Sequence, residues 1–306
     1  MVLSIVILVL GFVLLVRGAD YFIDGASGLA GRLRMSAMMV GLTVVAMGTS
    51  LPELAICITS AINGTTAIAV GNVIGSNVGN ILFILGVLAI ISPLTVRRRT
   101  IYCEAPFTLF IIAVLYYIVF HFGILSRALS AVLLGLFVCY LIYLFLMSYY
   151  NPQKPDKIKT VSVTKIVLYI VLGLIAIIMG SDFIVKSATD IAEYIGVTNR
   201  IIGLTIVALG TSLPELVTGI VALRKKHPDI AVGNIIGSSI FNMLFVLGIG
   251  SMVAPIHFEQ VFLFDLVISA LAVLMLILCS FRTMRLGRLA GILFLVMYAL
   301  YVLHII

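Results

Sequence analysis

Residues 41–54 read GLTVVAMGTSLPEL, and residues 203–216 read GLTIVALGTSLPEL. The echo continues downstream, where IAVGNVIGSNVGN at 68–80 returns as IAVGNIIGSSIFN at 230–242. Both matches share one offset of 162 residues, so the spacing inside each unit is kept without a gap. Each copy carries a glutamate, Glu53 or Glu215, inside a long apolar stretch beside Thr, Ser, Gly and Pro. A carboxylate in hydrocarbon costs roughly 2.5–3.5 kcal/mol on insertion scales, so its default reading is a functional site. Two halves that each bring one such acid point to a cation site at the boundary between repeats.

Hydrophobic residues make up 63% of the 306 and charged residues 10%, far from the composition of soluble domains. Apolar runs long enough to cross a bilayer recur from end to end. We place about ten spans, at 2–18, 37–62, 66–92, 104–121, 127–149, 164–184, 199–223, 230–254, 260–281 and 288–306. The expected fold class is all-α, a polytopic membrane protein. Five spans per repeat is an odd number, so the second unit enters from the opposite side and the repeats are inverted. The expected organisation is a first transmembrane repeat over 1–150, a cytoplasmic linker over 151–163 and a second, inverted repeat over 164–306.

Basic residues test this topology. With the N-terminus outside, the cytoplasmic loops hold Arg32, Arg34, Arg97, Arg98, Arg99, Lys154, Lys157, Lys159, Lys165, Arg224, Lys225, Lys226, Arg282, Arg285 and Arg288. These are fifteen of the nineteen Lys and Arg, the exceptions being Arg17, Arg127, Lys186 and Arg200. The asymmetry favours an even span count with both termini outside. It also accounts for the net charge of +7, so no nucleic-acid partner is implied. The first apolar run lacks a basic n-region, and its repeat partner at 164–184 is internal, so it reads as a span rather than a cleavable signal. Cys57, Cys103, Cys139 and Cys279 are scattered and suggest neither zinc nor a disulfide framework. His121, His227, His257 and His304 fall at loops or span ends and read as interfacial. NPQKPDKIKTVSV, at 151–163, is the only convincing linker and is too short for a folded domain.

The chemistry must therefore lie among the helices. Pro52 and Pro214 directly precede the glutamates and clash with the carbonyls of Gly48 and Gly210, so each span kinks or breaks there. Irregular backbone at membrane depth is tolerated only in protein or along a wet cavity. The break frees carbonyl oxygens beside a carboxylate and the hydroxyls of Thr49, Ser50, Thr211 and Ser212. Such oxygens form a hard-ligand set, suited to Ca²⁺ or Na⁺ rather than softer metals. In the second motif, Gly71, Gly75, Gly233 and Gly237 have the spacing of close helix packing. Asn72, Ser76 and Asn80 follow at fours, as do Asn234, Ser238 and Asn242, so each set lies near one helix face. Asn72 and Asn234 read as helix–helix hydrogen bonds, and Ser76, Ser238, Asn80 and Asn242 as ion contacts. Asp20 and Asp182 are expected to be interfacial beside Arg17, Asp24 and Lys186. Glu104 and Asp265 are expected to be accommodated by span N-termini and headgroups.

With GTSLPE at 48–53 and 210–215 and GNxIGS at 71–76 and 233–238, the chain resembles the sodium/calcium exchanger family of the calcium:cation antiporter superfamily. The likeness is to its prokaryotic type without a regulatory domain, and it spans essentially all 306 residues. It implies an antiporter that binds Ca²⁺ and Na⁺ in turn near mid-membrane, with no cofactor and no partner beyond the lipid bilayer and inorganic cations. It implies that a monomer suffices, in a prokaryotic plasma membrane. By motif position Glu53 and Glu215 would be central ligands, joined by backbone oxygens of Thr49 and Thr211. Ser50, Ser76, Ser212 and Ser238, with the carbonyls of Ala46 and Ala208, would complete flanking sodium sites, and Asn80 fills the first amide position. The family alternates access by sliding its first and sixth helices, here residues 2–24 and 164–190.

One departure is informative. Related exchangers often carry an aspartate where this chain has Asn242. The cluster then holds two carboxylates, and one Ca²⁺ or two monovalent ions would neutralise it. Paired buried charges are the tolerated ones, so two monovalent ions are expected to compete with one Ca²⁺. Three alternatives stay open at this stage. Protons could replace Na⁺, or another divalent ion Ca²⁺, on the same fold; a passive cation channel is another class. An intramembrane hydrolase is a third, although no histidine or lysine is placed to activate Ser50 or Ser212.

Overall fold

The computed structural model describes residues 2–150, 162–195 and 208–305. Outside them lie most of the expected linker, with Lys154, Lys157 and Lys159, and also Arg200 and residues 203–207 of the second motif copy. The described chain runs α1 (Val2–Leu33), α2 (Ala37–Thr49), α3 (Leu51–Ile62), α4 (Thr66–Ile91), β1 (Leu94–Thr95), α5 (Thr100–Phe122), β2 (Ile124–Leu125) and α6 (Arg127–Tyr150). It continues with α7 (Val163–Tyr194), α8 (Ala208–Thr211), α9 (Leu213–Arg224), α10 (Pro228–Val253), β3 (Ile256–His257), α11 (Phe262–Ser280), β4 (Arg285–Leu286) and α12 (Arg288–Ile305). Among the described residues, eight helices are long and apolar enough to cross a bilayer, or nine if α2 and α3, bent by 45°, count as one span. The protein is an all-helical membrane protein.

Two span boundaries differ clearly from expectation. The first helix does not stop at 18 but continues to Leu33, and the one expected over 164–184 continues to Tyr194. Apolar runs end at the first charges, whereas helical hydrogen bonding does not. Arg17, Asp20 and Asp24 are carried along α1, and Asp182 pairs with Lys186 on α7 at 2.8 Å. A helix of 32 residues is roughly 48 Å long, well beyond the roughly 30 Å of hydrocarbon. Both helices must tilt or project.

Burial sorts the helices into a centre and a flank. In α10, 94% of the apolar window is buried, against 22% in α1 and in α7. The small residues of the second motif explain the difference. A Cβ on Gly233 would meet the Met38 carbonyl oxygen at 2.6 Å, and one on Gly237 the Leu42 carbonyl at 2.6 Å, so α2 lies directly on the α10 backbone. Gly71 and Gly75 show no such approach to described residues; Phe262 stands 3.7 Å from the Gly71 position. Their repeat-related counterparts of Met38 and Leu42 are residues 200 and 204, outside the described chain. On the flank, α1 and α7 cross backbone to backbone. A Cβ on Gly173 would meet the Phe22 nitrogen at 2.6 Å, and one on Gly18 the Gly173 oxygen at 2.8 Å.

The two repeats are joined at both ends of the bundle. Strand β1 pairs antiparallel with β4, Leu94 opposite Leu286, and β2 pairs with β3, Leu125 opposite Ile256. Flanking bonds extend both ladders, from Val96 N to Met284 O and from Phe258 N to Gly123 O, each 2.9 Å. These strands were not expected, because two residues are too few to show an alternating pattern.

The packing of the flanking helices is unequal. Helix α1 runs along α9, whereas α7 forms no comparable seam with α3. At the β1–β4 end, Lys225 Nζ reaches Asp24 Oδ1 at 2.6 Å and Asp20 Oδ1 at 3.7 Å, and it donates to the Asp20 carbonyl at 2.8 Å. His227 Nε2 lies 3.3 Å from Ser27 Oγ, and Arg97 pairs with Asp229 at the same end. In the other repeat the positions of Lys225 and His227 hold Asn63 and Thr65, and Asp182 is engaged by Lys186 of its own helix.

Candidate cation site

The proline breaks lie where expected and have matching geometry. Helix α2 ends at Thr49, and Ser50 adopts φ −89°, ψ 12° before α3 begins with Leu51 and Pro52. Helix α8 ends at Thr211, and Ser212 adopts φ −90°, ψ 1° before Leu213 and Pro214. Proline is well placed in a first turn, where its missing donor would be unused. Glu53 and Glu215 thus sit in the first turns of α3 and α9, both with 0% exposure.

Hydrogen bonds link the two breaks. Ser50 Oγ donates to Glu215 Oε1 at 3.1 Å, and Ser238 Oγ approaches the same oxygen at 3.5 Å. Thr49 Oγ1 donates to Asn234 Oδ1 at 3.1 Å and lies 3.5 Å from Ser238 Oγ. The Ala46 carbonyl faces both hydroxyls, at 3.4 Å from each. Ser50 stands three residues before Glu53 and its hydroxyl holds Glu215, so both acids border one site.

The asparagines enter from the long central helices. Asn80 lies in a π-helical segment, Gly79–Ile84, within α4, and Asn242 opens another, Asn242–Val246, within α10. A π-turn widens the helix and re-aims its side chains, which is why such turns recur at functional sites. The segment carrying Asn242 packs on α3, the helix of Glu53, and the one carrying Asn80 packs on α9, the helix of Glu215. Each repeat therefore lays its asparagine-bearing turn against the acid-bearing helix of the other.

What these groups lack is as telling as what they touch. Both oxygens of Glu53, Glu215 Oε2, and the amide atoms of Asn80 and Asn242 have no hydrogen-bond partner among the described residues. Five acceptor oxygens without donors, on side chains at most 1% exposed, are what a hard cation would satisfy. The two acids are not equivalent, since Glu215 is held by serines and Glu53 by none. Ser76 and Ser212 are buried, each 6% exposed, on α4 and at the second break, and Thr211 and the Ala208 backbone lie in α8.

Asn72 donates to the Glu53 carbonyl at 3.3 Å, the helix–helix role expected of it. Asn234 does more than the sequence suggested: its Nδ2 donates to Thr218 Oγ1 at 3.0 Å, while its Oδ1 holds Thr49. Thr218 was missed, because its repeat counterpart is Ile56 and no duplicated polar position marks it. Asn77 was missed too; it is 1% exposed with an unpartnered oxygen, one residue off the face traced by Asn72, Ser76 and Asn80. Glu104 proves to be fully buried, and it is met by Arg99 rather than by a span terminus.

A family model for the sodium/calcium exchanger protein matches residues 3–146 and 165–306. The chain belongs to the sodium/calcium exchanger family. This is a family of membrane antiporters, not of enzymes, and it transports calcium and sodium. Among similar exchanger sequences, the putative antiporter CaxA of Alkalimonas amylolytica is 40% identical over 83% of this chain and 82% of its own. The sodium/calcium exchanger MaX1 of Methanosarcina acetivorans is 32% identical over 90% of this chain and 91% of its own. A solved structure of the sodium-calcium exchanger NCX_Mj, soaked without Na⁺ and Ca²⁺, superposes with a TM-score of 0.86 at 30% identity, covering 100% of this chain and 99% of that one.

Proposed function

We propose that this exchanger couples Na⁺ entry to Ca²⁺ extrusion at the Glu53–Glu215 site, with access alternating between the two sides of a prokaryotic plasma membrane. The observation that carries the reading is the buried set of unpartnered oxygens on Glu53, Glu215, Asn80 and Asn242. Thr49, Ser50, Ser76, Ser212 and Ser238, with backbone oxygens of Ala46, Ala208, Thr49 and Thr211, complete the proposed ligand sphere. What the relatives' names say of sodium and calcium supports this choice of ions.

The same reading takes the chain as ten spans in two inverted repeats, 1–150 and 164–306, with α8 and α9 belonging to the seventh span. Strand pairing supports an inverted arrangement, since β1 pairs with β4 rather than with its repeat counterpart β3, and β2 with β3 rather than with its counterpart β4, so that corresponding loops fall at opposite ends of the bundle. Basic residues concentrate at the β1–β4 end, which we assign to the cytoplasm. Helices α1 and α7 are the sliding gate, and their glycine-lined crossing supports their moving together. The seam of α1 with α9 closes the cytoplasmic end, and among the described residues α7 and α3 form no counterpart to it.

The test is uptake of labelled calcium into sodium-loaded proteoliposomes. Removing one charge from a buried ionic cluster costs about 3–5 kcal/mol. Calcium affinity should therefore fall by roughly 10²-fold or more in Glu53→Gln and in Glu215→Gln, with expression intact. Undiminished flux in both variants rejects the site. Imposing sodium and pH gradients separately identifies the coupling ion; uptake driven by the proton gradient alone replaces Na⁺ by H⁺.

A further inference from the structure

One buried polar cluster has no part in the proposed exchange. Glu104, in the first turns of α5, is 1% exposed and lies 2.9 Å from Arg99 Nε. That nitrogen also donates to Tyr143 Oη at 3.2 Å, and the guanidinium lies 4.8 Å above the Tyr143 ring. The Arg99 contact is an ion pair by distance, yet both Glu104 oxygens lack an aligned hydrogen-bond donor. On the facing helix α6, Tyr140 is 5% exposed and its hydroxyl has no partner among the described residues. Glu104 and Tyr140 line a cavity of about 310 Å³ together with Cys103, Phe107, Leu136 and Cys139. Both cysteines are exposed on the flank of the bundle, so the cavity opens sideways, toward acyl chains in a bilayer.

The second repeat builds the same place differently. Between the later elements the repeat offset is 161: Ile124–Leu125 corresponds to Arg285–Leu286, and Arg127, opening α6, to Arg288, opening α12. At this offset Glu104 corresponds to Asp265, Tyr140 to Tyr301 and Cys103 to Phe264. There the acid and phenol are joined, Tyr301 Oη donating to Asp265 Oδ1 at 3.1 Å. The Phe264 ring, partly exposed, lies against His304, at 4.5 Å between centroids. In the first repeat Arg99 engages the acid, the phenol is left over, and Cys103 stands at the position of the Phe264 ring.

We propose that this cavity binds the hydroxyl of an uncharged membrane lipid of the diacylglycerol type. A hydroxyl both donates and accepts, so one group satisfies Glu104 and Tyr140 at once. Arg99 already neutralises Glu104, so an ionic headgroup would be buried with no charge to meet it. Phe107, Leu136 and the two cysteines receive the apolar body. The volume falls at the small end of ligand sites, which run from roughly 300 to 1,000 Å³.

The test is thermal unfolding of the purified full chain in detergent with dioctanoylglycerol. Trioctanoylglycerol, which lacks the hydroxyl, and the anionic dioctanoyl phosphatidic acid are the comparators. A ligand that binds only the folded state should raise the midpoint, here by about 3 °C or more for dioctanoylglycerol alone. Tyr140→Phe and Cys103→Phe should each lose the rise, and Tyr301→Phe should keep it. Cys103→Phe copies the ring of the second repeat, so it decides the matter should Tyr140→Phe not fold. An equal rise with trioctanoylglycerol, a larger one with phosphatidic acid, one that persists in Cys103→Phe, or no rise at all overturns the proposal.

Discussion

At position 242 the difference between an amide and a carboxylate would set the charge of the proposed site. Asn242 is wholly buried, and both of its amide atoms lack partners. Asn242→Asp would give the cluster a third acid beside Glu53 and Glu215, and a further monovalent cation would then be needed to neutralise it. The expected outcome is one more sodium ion per cycle, read as a shifted reversal potential in proteoliposomes under fixed gradients; an unchanged potential would show that position 242 does not set the count. The proposed ligands that stood out directly are those whose chemistry is conspicuous in an apolar run. Glu53 and Glu215 are charged, and Thr49, Ser50 and Ser212 flank a duplicated proline. Thr218 and Asn77 could not be read this way. Each is uncharged and lacks an identical residue in the other repeat, so only packing shows Thr218 bound to Asn234 and Asn77 buried with an unpartnered oxygen.

At the scale of elements, the proline breaks of α2–α3 and α8–α9 were legible because a missing donor has one local consequence. The π-turns at Asn80 and Asn242 were not, since a shift of one residue in hydrogen-bond register leaves no mark on composition. Nor was the length of α1, whose charges beyond residue 18 become useful only when α9 is laid beside it. Lys225 binds Asp20 and Asp24 there, and all three side chains are partly exposed. Such pairs are worth about 1 kcal/mol at most. Lys225→Met should therefore shift the balance between the two access states by roughly fivefold toward the cytoplasm-open one. Half-saturation by Ca²⁺ added from the cytoplasmic face is the measurement. An unchanged value in Lys225→Met would mean that these ion pairs do not hold α1.

For the whole molecule, charge balance leads to a stoichiometry. Two carboxylates in the site are neutralised equally by one Ca²⁺ or by two Na⁺, so the cycle should move no net charge. Calcium flux in proteoliposomes should then be insensitive to an imposed membrane potential, and a three-for-one exchange, seen as a current, would reject the argument. The all-helical, membrane-spanning architecture was open to reading from the chain, because long apolar runs recur along it; among the described residues eight or nine helices are long enough to cross a bilayer. The ladders between repeats were invisible, being two residues long and formed between distant segments. Those ladders restrict what the machine can do. With the halves stitched together on both faces of the membrane, neither can rock against the other as a hinged clamshell. In the proposed cycle the stroke would fall to the two 32-residue helices, slipping lengthwise like a shuttle through a frame that stays still.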